Sequence, residues 1–239
     1  MKPIYQPKGR AREYGDYAIN IYSGCNHGCS YCYAPAVLRK DKEAFAEVQP
    51  RAGVVEAVKR QLERENITGK LIHLCFTCDP YPADIDTTPT REIIQAIKDS
   101  GNNVQILTKG GFRAERDFDL LGPGDWFGVT LTGEDGKEPR AAVSSERYAT
   151  IKAAHARSIQ TWVSFEPVYN PEMVYTCIRS SDAIDLFKIG KLNHADAPRA
   201  VIEAGGWAKF GAEAERLCRE YGRNYYVKED LRAEMEGHK

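Results

Sequence analysis

The chain has 239 residues, of which 42% are hydrophobic and 28% are charged, proportions that are ordinary for a globular protein. Its formal net charge is −1, so any binding to nucleic acid or acidic lipid requires a local patch of positive charge. No run approaches the ~20 apolar residues of a membrane span, and the N-terminal residues lack the apolar core of a signal peptide. We therefore expect a cytoplasmic protein that does not bind a membrane.

The first segment, from Lys2 to Tyr14, is rich in turn-forming residues and in positive charge. It is either a solvated arm or a basic lip beside an active site that contacts phosphates. A strand-like run from Asp16 to Tyr22 follows this segment and leads into a loop rich in cysteine.

The loop has the sequence Gly-Cys-Asn-His-Gly-Cys-Ser-Tyr-Cys-Tyr-Ala-Pro over residues 24–35. Thiols at Cys25, Cys29 and Cys32 can fold back on one iron–sulfur cluster and leave one of its irons open. The glycines at positions 24 and 28 permit the positive φ that such tight wrapping needs.

Two other interpretations of this loop stay open. Zinc needs four ligands, and His27 could be the fourth, but the set would be cramped and no second ligand pair follows. The thiols could also simply pack in the interior. The chain has seven cysteines, and this odd number favours a reducing compartment with a metal centre over a disulfide framework.

Beyond the loop, helical and strand patterns alternate along the chain. Apolar spacing predicts helices over about residues 52–66, from Thr88 to Gly101, from a cap at Ser144, and from Trp207 to Gly222. Apolar runs predict strands at 71–77, 103–108, 126–131, 161–165 and 184–189, and a short strand or extended tail at 224–228. This alternation predicts an α/β fold of parallel βαβ units, either a barrel or an open doubly wound sheet.

The three-cysteine spacing, with Tyr31 and Tyr33 beside the last cysteine, resembles the CxxxCxxC signature of the radical S-adenosylmethionine (radical SAM) superfamily. The resemblance implies a [4Fe-4S] cluster, S-adenosylmethionine, and a partial (β/α)6 barrel of TIM type with a C-terminal helix and short strand. It also implies cleavage of the cofactor to a 5′-deoxyadenosyl radical that abstracts hydrogen, driven by an external one-electron reductant of flavodoxin or ferredoxin type. We expect a single domain with a basic arm at 1–15, the barrel at 16–195 and a closing segment at 196–239.

Chemistry in parallel barrels gathers at the C-terminal ends of the strands. Polar groups there are costly to bury unless a polar ligand binds them. In this chain the strand ends carry the segments Cys78–Asp79, Thr108–Lys109, Thr130–Thr132, Glu166–Pro167 and Lys191–His194.

Several of these residues resemble the spore photoproduct lyase branch of the superfamily, and segments 14–25 and 113–121 resemble uncharacterised relatives within that branch. The resemblance implies a short relative of the lyase and not the lyase itself. With Glu166 added from the end of the fifth strand, the predicted cofactor-binding residues are Tyr31, Tyr33, Cys78, Asp79, Lys109, Thr130 and Glu166. The lyase has a hydrogen-donating cysteine at the position of Phe76, so the lyase's own repair step is not expected here. Cys78 is then a candidate hydrogen-atom donor or a small residue beside the cofactor, and Cys75 on the opposite face of the strand is expected in the core.

The lyase-like features favour a thymine-derived nucleobase in DNA as substrate, flipped into the barrel mouth for the rearrangement or tailoring of a modified thymidine. In that case the enzyme acts as a lyase or isomerase, in a host cytoplasm if the chain is viral. DNA would contact local positive charge, for which the candidates are Lys8, Arg10, Arg12, Arg113 and Arg116. The alternatives are radical modification of a peptide or small metabolite, and a protein that uses the cluster only for binding or sensing.

Overall fold

The computed structural model describes residues 2–193 and 195–237. Seven strands form one sheet in the order β1 to β7, and each neighbouring pair is parallel. The strands are β1 (Tyr17–Ile19), β2 (Leu71–Leu74), β3 (Asn103–Thr108), β4 (Trp126–Thr130), β5 (Gln160–Phe165), β6 (Leu186–Ile189) and β7 (Tyr225–Val227). The predicted α/β class with a parallel sheet is confirmed.

Helices fill the connections between the strands. The helices are α1 (Ala34–Leu38), α2 (Lys42–Ala46), α3 (Val54–Arg64), α4 (Thr88–Asp99), α5 (Ser144–His155), α6 (Pro171–Ser180), α7 (Arg199–Glu203), α8 (Gly206–Glu220) and α9 (Glu229–Met235). The connection from β3 to β4 is a 3₁₀ segment, Gly111–Leu120, and 3₁₀ turns also lie at Gly9–Glu13 and Asp135–Lys137. None of the described helices is long and apolar enough to cross a membrane.

The core lies on both faces of the sheet, which explains the nearly continuous apolar sequence of the strands. Side chains on successive strands are fully buried, among them Ile72, Ile106, Phe127, Val163 and Phe187. Helices cover one face with apolar stripes, such as the buried isoleucines of α4. Because all neighbouring strands are parallel, their C-terminal ends meet at one edge of the sheet.

Two local predictions are wrong. β2 ends at Leu74 because Cys75 has a φ of 82°, so the predicted strand does not continue to residue 77. Ser144 does not cap α5: it is the first helical residue, and its hydroxyl donates to Asp135 Oδ1 at 2.5 Å.

The C-terminal segment contributes more than was predicted. The extended residues near 224–228 form β7, which pairs with β6 as a seventh parallel strand. The chain then continues into α9, for which the sequence analysis predicted no helix.

The N-terminal arm is packed against the sheet. Tyr5 pairs with Ala18 of the edge strand β1 through two backbone hydrogen bonds of 3.0 and 2.9 Å. On the other side, Lys188 Nζ on β6 donates to the carbonyl of Glu13 at 3.0 Å. The arm thus contacts both β1 and β6, so it is packed on the sheet, while its basic side chains Lys8, Arg10 and Arg12 stay exposed to solvent.

Candidate active site

The C-terminal ends of the strands surround a cavity of about 510 Å³. All three loop cysteines line it, and so do two cations of the arm, Lys8 and Arg10. The structure also brings to this cavity the whole predicted cofactor-binding set, namely Tyr31, Tyr33, Cys78, Asp79, Lys109, Thr130 and Glu166. His194, at the end of the last polar segment, lies outside the described residues.

The cysteine loop is shaped by its two glycines in different ways. Gly28 has a φ of 69°, as predicted, and this left-handed conformation is strained for other residues. Gly24 is not left-handed, so the prediction for it is wrong. A Cβ at Gly24 would lie 2.3 Å from the carbonyl oxygen of Phe45, and the residue must lack a side chain because that backbone passes so closely.

The three loop thiols fit a cluster with three thiolate ligands. Cys25, Cys29 and Cys32 are free, partly exposed and on the wall of one cavity. Burial raises the pKa values of the Cys25 and Cys29 thiols, so their thiolates need a cationic partner. In a cluster each thiolate binds its own iron, so the three sulfurs do not have to converge on one point.

The geometry does not support His27 as a zinc ligand, because neighbours engage both of its ring nitrogens. Nδ1 lies 3.5 Å from Asp79 Oδ2, and Nε2 lies 3.2 Å from Arg113 Nη2. Burial lowers the pKa of His27 to about 4, so the ring is neutral and can donate to Asp79 while accepting from Arg113. Within residues 2–193 and 195–237, no three His, Cys, Asp or Glu side chains are placed to hold a single metal ion.

Hydrogen bonds of Asp79 connect the segment after β2 to the end of β3. Its Oδ1 accepts hydrogen bonds from Tyr81 N at 2.8 Å and Thr108 Oγ1 at 2.6 Å, and its Oδ2 accepts from Lys109 N at 2.9 Å. Burial alone would raise the pKa of Asp79, but the neighbouring His27 and these hydrogen bonds lower it below the ordinary value. These three hydrogen bonds leave one acceptor site on Oδ2, which His27 Nδ1 faces at 3.5 Å. Asp79 lines the cavity, and its role as a cofactor contact stays a prediction.

A buried ion pair supports the cysteine loop from behind. Tyr31 donates its hydroxyl hydrogen to Glu138 Oε1, and Arg147 Nη2 donates to Glu138 Oε2 at 2.6 Å. Neither Glu138 nor Arg147 has exposed side-chain area. Neither residue was predicted from the sequence. Only Arg147 could have been recognised from the sequence, because its spacing places it on the same apolar helix face as Ile151 and Ala154. An arginine on such a face needs a buried partner for its charge.

Lys109 places a free ammonium group beside the cluster loop. Its Nζ lies 5.7 Å from the centre of the Tyr31 ring, and no hydrogen-bond acceptor for it is found among the described residues. Burial would lower the pKa of Lys109, but the negative charges near it, chiefly Cys29 and Glu138, raise it above the ordinary value. The group is a cation that can bind the carboxylate of a ligand.

The other side of the cavity is centred on Glu166, at the end of β5. Its Oε2 accepts from Tyr14 at 3.0 Å and from the buried ammonium of Lys228, and its Oε1 accepts from Asn193 at 3.3 Å. Oε1 keeps one lone pair, so Glu166 can still accept a hydrogen bond from a ligand. The tyrosine and lysine partners of Glu166 were not predicted.

Cys75 and Cys78 both line the cavity, which corrects the prediction that they lie on opposite faces of a strand. The strand has already ended, so alternation no longer applies. Cys78 Sγ accepts from Tyr22 N at 3.4 Å. Burial would raise the pKa of Cys78, but hydrogen bonds from Cys75 and from the Tyr22 and Ile21 amides lower it.

The candidate nucleic-acid residues separate into two groups. Lys8 and Arg10 line the cavity, whereas Arg12, Arg113 and Arg116 are absent from its wall. Arg113 is engaged with His27 and with the carbonyl of Tyr81, and Arg116 donates to Thr87 Oγ1 at 3.1 Å. The structure does not bring the two groups to one mouth.

Comparisons with known proteins agree with this geometry. The sequence profile of the radical SAM superfamily matches residues 19–173, more than half of the chain. An uncharacterised protein of Methanocaldococcus jannaschii is 26% identical over 166 residues, which cover 66% of this chain and 62% of that protein. The chain therefore spans less than two thirds of the length of this relative.

Solved structures share the fold. A spore photoproduct lyase variant with bound AdoMet and dinucleoside spore photoproduct has a TM-score of 0.71 at 14% identity, covering 94% of this chain and 79% of that chain. SuiB of Streptococcus suis bound to S-adenosylmethionine has a TM-score of 0.62 at 11% identity, covering 88% of this chain and 46% of that chain. The predicted partial barrel of TIM type is confirmed.

Proposed function

Because the chain belongs to the radical SAM superfamily, we propose that it is a radical SAM enzyme whose substrate is a thymine-derived nucleobase in DNA. The reaction is the rearrangement or tailoring of a modified thymidine, of lyase or isomerase type. The observation that carries this proposal is one cavity whose wall includes both the three cysteines of the loop and the basic residues Lys8 and Arg10.

The cluster side of the cavity would hold both cofactors. Cys25, Cys29 and Cys32 would bind a [4Fe-4S] cluster, and Lys109 would bind the carboxylate of S-adenosylmethionine. When bound and reduced by an external flavodoxin-type or ferredoxin-type protein, this pair supplies a 5′-deoxyadenosyl radical that removes a hydrogen atom from substrate. Asp79 keeps the backbone of Lys109 in place beside the cofactor.

The chain's own residues orient the substrate and limit its access to water. Tyr33 and Phe76 line the cavity together, and the Tyr33 hydroxyl donates to the Phe76 carbonyl at 2.7 Å. Aromatic rings at this position suit stacking with a flipped base, a contact that every base can make. Glu166 Oε1 would accept a hydrogen bond from the amino group of the cofactor or from the substrate. Cys78 stays the candidate donor of a hydrogen atom.

A peptide substrate is the second candidate, and its support is the fold shared with SuiB, which has also been solved bound to the precursor peptide SuiA. The arm favours DNA over a peptide, because the cations Lys8 and Arg10 are suited to binding phosphate. They provide local positive charge at the cavity although the whole chain has a net charge of −1. A protein that only binds or senses with its cluster would not need Lys109 and Glu166 in the same cavity. We place the enzyme in the cytoplasm, or in a host cytoplasm if its source is viral.

The test is anaerobic incubation of the reconstituted, reduced protein with S-adenosylmethionine, with and without duplex DNA containing thymine or modified thymine. Mass spectrometry measures 5′-deoxyadenosine, and deuterium on the base reports whether hydrogen comes from it. We expect DNA to increase 5′-deoxyadenosine and deuterium to appear in it. If an unmodified peptide library stimulates the reaction and DNA does not at low salt, the DNA substrate is refuted.

A further inference from the structure

Three cations form the outer rim of the cavity: Lys8 and Arg10 from the arm and Lys191 from the segment after β6. Arg10 Nη1 lies 3.0 Å from Asp230 Oδ2, and Lys191 Nζ pairs with Glu234 Oε1. Lys8 is exposed and has no ion-pair partner in the part of the chain that the structure describes. We call these three residues the rim.

Both carboxylates of the rim pairs belong to α9. Asp230 and Glu234 are four residues apart and therefore share one face of the helix. The adjacent face of the helix is fixed, since Leu231 is fully buried and Met235 packs where a Cβ at Gly211 would lie 2.6 Å from its sulfur. Packing thus holds an acidic helix face against the rim.

The rim pairs are exposed enough to be exchanged. In each rim pair one side chain is open to water and its partner is less exposed: Arg10 is 52% and Asp230 17% exposed, and Glu234 is 41% and Lys191 20% exposed. An ion pair that water reaches from one side contributes modestly to stability. A phosphate group offers more acceptor oxygens to the same cations and forms stronger, charge-assisted hydrogen bonds. By contrast, Lys228 inside the cavity is 5% exposed and stays paired with Glu166.

We propose that Lys8, Arg10 and Lys191 form a phosphate-binding subsite for the substrate backbone, and that Asp230 and Glu234 are counter-ions which phosphate displaces. The inference rests on the proposed function and names the part of the chain that holds the DNA backbone. The carboxylates keep the rim closed to weak anions. A DNA strand must bring one phosphate to each ion pair, because a phosphate at one pair leaves the cation of the other pair neutralised by its carboxylate.

The test compares two double variants that change the net charge equally. Asp230→Asn with Glu234→Gln frees the rim, whereas Glu213→Gln with Glu220→Gln removes the partners of Arg216 on α8, which do not line the cavity. Binding of a 5′-fluorescein-labelled (dT)12 strand to the anaerobically reconstituted protein is followed by fluorescence anisotropy. We expect Kd to fall about threefold to thirtyfold for the rim variant and to change little for the control. The gain should shrink at 300 mM salt.

A double-mutant cycle separates a specific pair from general electrostatics. Asp230→Asn should tighten binding in the wild-type background and have no effect once Arg10→Gln is present. Equal tightening in both backgrounds, or equal effects of the rim and control variants, would overturn the inference while DNA binding itself stands.

Failure of the proposed function gives a different result. If the wild type and all variants ignore the labelled strand at 50 mM salt, both the DNA substrate and the rim inference fall. If a labelled (Glu)12 peptide binds more tightly than the strand, the rim accepts a carboxylate polymer and the phosphate subsite is refuted. Thermal melting by circular dichroism checks that each variant is folded.

Discussion

Replacement of Glu138 by Gln should strongly destabilise the protein, because it leaves a buried guanidinium without a counter-charge. Arg147 donates to the carbonyl oxygens of Ala142 at 2.6 Å and Thr130 at 2.9 Å, so two of its hydrogen bonds survive the change. The third partner, Glu138 Oε2 at 2.6 Å, carries the only opposite charge that Arg147 contacts among the described residues. Gln has nearly the same shape, so lost packing contributes little.

Removal of one partner from a buried pair costs about 3–5 kcal/mol of unfolding free energy. In a chain of this size 1 kcal/mol shifts the thermal midpoint by about 2–4 °C, so the midpoint should fall by roughly 6–20 °C. Tyr31 also loses its charged acceptor, and a second effect should follow in the cysteine loop. The variant should therefore retain less iron after reconstitution than the wild type.

The assay is urea denaturation followed by circular dichroism on anaerobic protein, with iron analysis of the same samples. Glu203→Gln is the matched control, since Glu203 pairs with Arg199 on the surface and the loss should stay below about 0.5 kcal/mol. The double variant Glu138→Gln with Arg147→Met should recover part of the loss, because no unpaired charge remains. A loss below about 1 kcal/mol in Glu138→Gln alone would refute this account of the pair.

Three further predictions concern the cofactors and the barrel interior. The wild type should hold roughly four irons and four sulfides, and alanine at any of the three loop cysteines should abolish this in iron and sulfide analysis; bound zinc without iron would contradict the cluster. Lys109→Met should weaken S-adenosylmethionine binding by about 1–3 kcal/mol in calorimetry, with the iron content unchanged, and an unaltered affinity would exclude the ammonium as a contact. Burial lowers the pKa of Lys188 from its ordinary 10.5 to about 8. Below pH 8 the buried ammonium is charged and fully destabilises the folded state, and this destabilisation is relieved as the pH rises. The unfolding free energy should therefore increase between pH 8 and 10.5. Lys188→Met should flatten that rise in urea titrations; the same rise in the variant would show that another group titrates.

Local sequence patterns were sufficient to predict most of the strands and the cysteine loop. The predicted strand at 103–108 agrees with β3, since apolar strands covered on both faces stand out in sequence. The three cysteines could be predicted as one group because they lie in a single loop, and their role as cluster ligands stays a proposal. The polar strand ends met in one cavity because parallel strands end at one edge.

Contacts between distant segments could not be predicted. The partners of Asp79 come from three parts of the chain, and only the folded structure brings them together around its carboxylate. Glu138 lies in a connection with no periodic pattern, so nothing in the sequence pointed to its pairing with Arg147. The end of β2 at Cys75 depends on one left-handed residue, which an apolar run conceals.

The two sides of the cavity differ in how their charges are held, and this difference matches the two tasks of the proposed reaction. On the cluster side, Asp79 and Glu138 are buried and hydrogen-bonded, so the groups around the cysteine loop stay fixed, as the alignment of a radical with its target requires. On the rim, one partner of each ion pair is open to water, so these pairs are exchanged more easily. Because a buried carboxylate cannot release its partners without leaving buried donors unpaired, the cluster side resists the rearrangement that the rim permits. Substrate entry should therefore be governed by the arm and α9, while the cysteine loop keeps its geometry throughout.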